Sequence, residues 1–134
     1  STIMIDLTGL KDGGTAGDII GKDGAGVAYI AQVTTASQGV VFGVTMTCVE
    51  TPAGGSADID LYSATEGTGV NDTGIGALTE TQVINAGSAS AGTLVAGGDI
   101  VANQYLYLVS QGTGDAAYTA GRFMIEITGY DVAS

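Results

Sequence analysis

Two stretches decide the fold class: Val40-Val41-Phe42-Gly43-Val44-Thr45-Met46-Thr47-Cys48-Val49-Glu50 and Arg122-Phe123-Met124-Ile125-Glu126-Ile127-Thr128-Gly129-Tyr130. In both, apolar side chains return at every second position, which is the repeat of a strand with one face buried. In the first, Val40, Phe42, Val44, Met46 and Cys48 share the face expected in the core, with Thr45 and Thr47 opposite. In the second, Phe123, Ile125 and Ile127 oppose Arg122, Glu126 and Thr128. The β-branched residues concentrated here lose rotamer freedom in a helix and pack well on a pleated surface.

The same alternation extends outward from these two stretches. Ile3, Ile5 and Leu7 share a face within Thr2–Thr8; Ile59 and Leu61 share one within Ala57–Ser63; Leu106 and Leu108 share one within Gln104–Ser110. Weaker strand patterns cover Gly17–Ile20, Val27–Val33, Glu80–Asn85, Gly92–Ala96 and Asp99–Ala102. Turns are expected at Lys11–Gly14, Lys22–Gly26, Thr51–Ser56, Glu66–Gly76, Ala86–Gly92 and Gly112–Ala117, where Gly, Asp and Asn cluster. Many short strands joined by Gly-rich turns predict an all-β chain, a two-sheet β-sandwich of jelly-roll type, formed as a single domain over residues 1–134. Phe42, Val44, Met46, Leu106, Leu108, Phe123, Ile125 and Ile127 are the expected core. Residues 1–10 read either as an edge strand or as an arm that adds to another subunit. Residues 64–104, rich in Gly, Ala, Ser and Thr, read as long loops or as a stretch ordered against a neighbour.

Charge limits the partners. Fourteen acids face only Lys11, Lys22 and Arg122, for a net charge of −11. Nucleic acid binding needs cations to displace phosphate counterions, and three cannot form a basic stripe. Anionic membranes are disfavoured on the same ground, and no apolar run is long enough to span a bilayer. Cys48 is the only cysteine, expected as a small buried residue; the lack of disulfides favours a protein assembled in a cytoplasm.

Catalytic chemistry finds little to work with. The chain has no His, which removes imidazole bases, His-ligated metals and Ser–His or Cys–His arrangements. Around Gly21-Lys22 a phosphate loop fails, because Ala16 stands at the first Gly position and Asp23 at the Ser/Thr position. Gly54–Asp60 departs from a calcium nonapeptide at Ala57 and Ile59 and has no second copy. The reading is of a non-enzyme with no cofactor and no metal. Asp58 and Asp60 are expected on the solvent face of a strand. Tyr62, Tyr105 and Tyr107 lie opposite apolar faces, so that burial in the second sheet and a role in an interface weigh equally. The candidate subunit or capsid interface residues are Ile3, Ile5, Tyr62, Tyr105 and Tyr107.

Tyr105-Leu106-Tyr107-Leu108-Val109 and Ala117-Tyr118-Thr119-Ala120-Gly121-Arg122-Phe123-Met124-Ile125-Glu126-Ile127-Thr128-Gly129-Tyr130, in an acidic Gly/Ala/Thr-rich chain, resemble the endings of capsid decoration (cement) proteins of tailed bacteriophages, marine and cyanobacterial ones especially. Gly17–Gly21 and Asp58–Tyr62 are similar in character. The resemblance implies a structural virion protein on the capsid exterior, assembled in the host cytoplasm. It further implies a homotrimer that binds the major capsid protein and braces the shell. It carries over no site residues. Two rival readings are a carbohydrate-binding or adhesin domain of a phage fibre or bacterial surface, and a carboxylate glycosidase or lyase.

Overall fold

Nine strands carry the fold in a computed structural model that describes residues 1–130. They are β1 (Thr2–Asp6), β2 (Asp18–Ile19), β3 (Ala31–Gln32), β4 (Val40–Ala53), β5 (Ile59–Ala64), β6 (Glu80–Ile84), β7 (Leu94–Gly97), β8 (Tyr105–Ser110) and β9 (Ala120–Tyr130). A four-residue helix, α1 (Thr35–Gln38), and a single 3-10 turn at Ile75–Ala77 are the helical pieces among them. The sequence pattern did not mark α1; it is set by Thr34, whose hydroxyl accepts from the Ser37 amide at 3.1 Å.

The strands form two antiparallel sheets, β1-β9-β4-β7 and β2-β8-β5-β6, with β3 also on β8. The first half of the chain pairs with the second in nested order: β1 with β9, β2 with β8, β4 with β7, β5 with β6. That is one long hairpin rolled up into two sheets, the jelly roll expected from the sequence. β1 lies at the edge of its own chain's sheet, paired with β9.

Between the sheets, the β4–β9 ladder sets Val44 opposite Ile127, Met46 opposite Ile125 and Cys48 opposite Phe123. All six side chains are buried, together with Ile59, Leu61, Leu106 and Leu108 from the other sheet. Phe42 departs from the expected core: it is 58 % exposed, and Val40 is exposed too. The cause is a bulge. Val41 pairs with Gly129 and Gly43 with Thr128, so Phe42 has no partner, and the extra residue reverses the alternation N-terminal to it. Val41 packs against the core in its place, while Phe42 meets Tyr130 on the outside with ring centroids 5.9 Å apart.

Other expectations shift locally. The Val27–Val33 pattern yields only Ala31–Gln32 as strand, and Asp99–Ala102 forms none, with Ile100 alone turned inward. β4 runs through Ala53, so the turn expected from Thr51 begins at Gly54, whose φ of 87° suits glycine. Residues 64–104 hold β6, β7 and a loop at 65–79 that lies on the chain's own second sheet rather than on a neighbour.

Phe123→Ala is expected to lower stability by about 3–5 kcal/mol, the usual cost of emptying a buried Phe site. Phe42→Ala should change it by less than about 1 kcal/mol, as is typical on a surface. Urea unfolding of the two variants checks both values.

Candidate interaction surface

The outer faces of the two sheets are treated differently. On the second sheet, β8 (Tyr-Leu-Tyr-Leu-Val-Ser) and β5 (Ile-Asp-Leu-Tyr-Ser-Ala) are buried on both sides almost throughout. The 65–79 loop supplies the cover, with Ile75 and Leu78 packing on Ile19, Tyr107 and Val109. The Tyr107 hydroxyl donates to the Glu66 carbonyl at 2.7 Å and accepts from the Gly69 amide at 3.2 Å. A Cβ on Gly69 would come within 2.8 Å of the Tyr107 ring, so the lid crosses that ring only as glycine.

Tyr107 is therefore corrected from interface candidate to core, at 0 % exposure. Tyr62 and Tyr105 are half-buried beside it, and Tyr105 meets the exposed Tyr29 with ring centroids 4.8 Å apart. Ile3 and Ile5 point inward from β1 and are partly buried against the main core. The proposed interface set thus divides, with no single surface joining its members.

The outer face of the first sheet has no cover among the described residues. Its cross-strand rows follow from the registers: Thr2–Glu126–Thr45–Ala96, then Met4–Met124–Thr47–Leu94. Met4 is 57 % and Leu94 59 % exposed, Val49 is exposed next to this row, and the Phe42–Tyr130 pair lies further along the face, beyond Thr45 and Glu126. Asp6 and Arg122 pair with one another at 3.7 Å at one end, Glu50 binds the Gly121 amide, and Glu126 stands between threonines. This surface is not visible in any one strand of the sequence, because its members come from four strands. The signal was the row formed once register is known: two methionines and a leucine in line.

Several acids turn out to be structural. Asp60 is corrected from solvent-facing to buried: its carboxylate accepts from Gln82, Gln111 and the Ala86 amide at 3.0–3.1 Å. Asp58 is half-buried. Asp12, also fully enclosed, accepts from the amides of Ser56 at 2.8 Å and Ala116 at 2.6 Å and so ties three loops together. Lys11 lies 3.3 Å from Asp115 and 3.8 Å from Asp23. Among the described residues no group of three or more Cys, Asp or Glu side chains is arranged to hold a metal ion. No family model, characterised protein or solved structure matched the chain.

Asp18, like Asp58, is held protonated more readily than a free carboxyl. Burial, with Asp72 and Asp115 nearby, holds its carboxyl above the ordinary value of 3.8. The folded state then binds more protons than the unfolded chain between 3.8 and the raised value, so stability falls as pH rises through that window. Asp18→Asn keeps an acceptor for the Thr15 amide and removes the charge. It is expected to raise Tm by a few degrees at neutral pH, with the gain disappearing below about pH 3.8, where the unfolded chain also holds its proton. Thermal unfolding across pH measures the difference.

Proposed function

We propose that this protein is a non-catalytic decoration protein. In this reading it binds the outer surface of a tailed-phage capsid, with the major capsid protein as its partner, and stabilises the shell. The observation that carries the reading is the open face of the four-stranded sheet. It presents Met4 and Leu94 exposed in one cross-strand row with Met124, and the exposed Phe42–Tyr130 pair further along the same sheet. Exposed large apolar side chains grouped on one uncovered sheet face are the kind of surface that protein contacts use. Its rim is the polar rest of the molecule, as in specific interfaces. A jelly roll fits the reading without deciding it, since that fold serves both viral shells and lectins.

Binding only to the assembled lattice would stabilise the shell by mass action. Contacts to several capsomers would make weak individual contacts durable. The homotrimer implied by the resemblance belongs to the same proposal, with three copies gathered at threefold positions of the lattice. The carbohydrate-binding alternative draws on the Tyr29–Tyr105 pair, where one exposed ring offers a stacking platform away from the open face.

Shells stripped of the protein are expected to rupture at lower temperature than decorated ones, and added protein should restore them. Leu94→Glu and Phe42→Glu, each placing a charge on the open face, should abolish rebinding while leaving Tm within a few degrees of wild type. Equal rupture temperatures for stripped and decorated shells, with glycan binding weakened by Tyr29→Ala, would replace the decoration reading with the lectin one.

A further inference from the structure

The free edge of β1 sets up a second contact. Ser1 and Ile127 exchange backbone hydrogen bonds at 2.9 and 2.8 Å, and the Leu7 amide donates to Gly121. In an antiparallel ladder the bonded residues alternate, so Ser1, Ile3, Ile5 and Leu7 face β9. The N–H and C=O groups of Thr2, Met4 and Asp6 therefore point away from the sheet, and among the described residues β1 pairs with β9 alone. Natural edges are usually blunted by lysine, proline, a bulge or a covering segment. Thr-Ile-Met-Ile-Asp has none of the first three, its register with β9 is unbroken, and no described element covers it.

The two sides of the sandwich also differ. On the β6/β7 side the sheets close on one another: the Gly98 amide donates to the Val83 carbonyl at 3.2 Å, and a Cβ on Gly97 would collide with Ile84 and the Val83 carbonyl. On the β1 side they stay apart, leaving a groove of about 270 Å³ lined by Ile5, Leu10, Ile20, Val27, Tyr29 and Leu108 among others.

From these features we infer that two copies of this chain pair through β1, antiparallel about a twofold axis at Met4. The register with Met4 opposite Met4 of the second copy and Thr2 opposite Asp6 of the second copy joins all three outward residues of both strands, and shifted registers join fewer. It forms about six ladder bonds, two for each bonded pair. This register is self-complementary in side chains. Residues directly opposite share a face, so Ile3 of the second copy comes beside Ile5 at the mouth of the groove, and each Asp6 meets a threonine hydroxyl. The axis is perpendicular to the sheet. Both open faces then look the same way and merge into one eight-stranded surface, whose central row runs Leu94–Thr47–Met124–Met4 and back through the second copy. The pairing does not depend on capsid binding. On a lattice it would link copies across twofold axes between threefold positions.

A contact of one short strand per copy falls at the small end of interfaces, so a concentration-dependent dimer, with Kd on the order of 10–100 μM, is expected. Both copies carry −11, and the contact itself is apolar and backbone-mediated. Raising the salt from about 50 to 500 mM should therefore strengthen it, by screening the repulsion.

Sedimentation equilibrium on the wild-type chain is expected to show a shift from 13.2 kDa towards twice that mass as concentration rises. Met4→Pro deletes an amide that the fold does not use and blocks the axis of the pair, so it should weaken association at least about tenfold with the circular dichroism unchanged. Met4→Lys, which keeps the amide but brings two like charges together, should do the same and decides the matter if the proline variant misfolds. A wild-type chain monomeric at about 1 mM, or an assembly of any size that both variants leave intact, would overturn the pairing. Rupture temperatures of decorated shells bear on capsid binding separately.

Discussion

Everything in this fold hangs on the register of the β4–β9 ladder. These two long strands lie side by side in the middle of the first sheet, and their pairing sets Val44, Met46 and Cys48 against Ile127, Ile125 and Phe123 on the side that meets the second sheet. A slip of one residue would exchange that apolar set for Thr45, Thr47, Met124 and Glu126, so the hydrophobic pattern fixes the register strongly. β1 and β7 then take their positions from β9 and β4. The bulge at Phe42 is the one place near the start of β4 where the ladder yields, and it moves an aromatic ring from the core to the surface beside Tyr130.

The asymmetry between the sheets follows from composition. Strands β5 and β8 are apolar or tightly hydrogen-bonded on both faces, and a strand of that kind must be covered twice. The Gly-rich 65–79 segment provides the second cover, and Asp60 is tolerated inside because three donors satisfy its carboxylate. The first sheet keeps a threonine- and methionine-bearing outer face without cover. Among the described residues, one molecule thus has a sealed side and an open one.

Much of this was legible in the sequence. The alternation in Thr2–Thr8, Val40–Glu50, Ala57–Ser63, Gln104–Ser110 and Arg122–Tyr130 located five strands, and the turn chemistry between them pointed to a rolled two-sheet sandwich. What stayed hidden depends on contacts between segments distant in the chain. A bulge leaves no mark in a run such as Val-Val-Phe-Gly-Val, so Phe42 read as core. The tyrosine at 107 read as a candidate for the surface because alternation alone does not reveal a lid contributed by residues 65–79. Asp60 read as solvated because its partners, Gln82, Ala86 and Gln111, come from other strands and loops. The open face, too, is a property of rows that run across four strands, and none of its members stands out in its own segment.

The three methionines are built-in reporters of that face. Met4 and Met124 stand in one row on the open surface, while Met46 is 2 % exposed in the core. Sulfoxide formation follows exposure. Mild peroxide oxidation followed by mass spectrometry can therefore compare the free protein with protein bound to shells. The account predicts that Met4 and Met124 become strongly protected on the shell while Met46 reacts slowly in both states. Equal oxidation of Met4 and Met124 in the free and shell-bound protein would contradict the assignment of the open face as the surface by which this molecule binds.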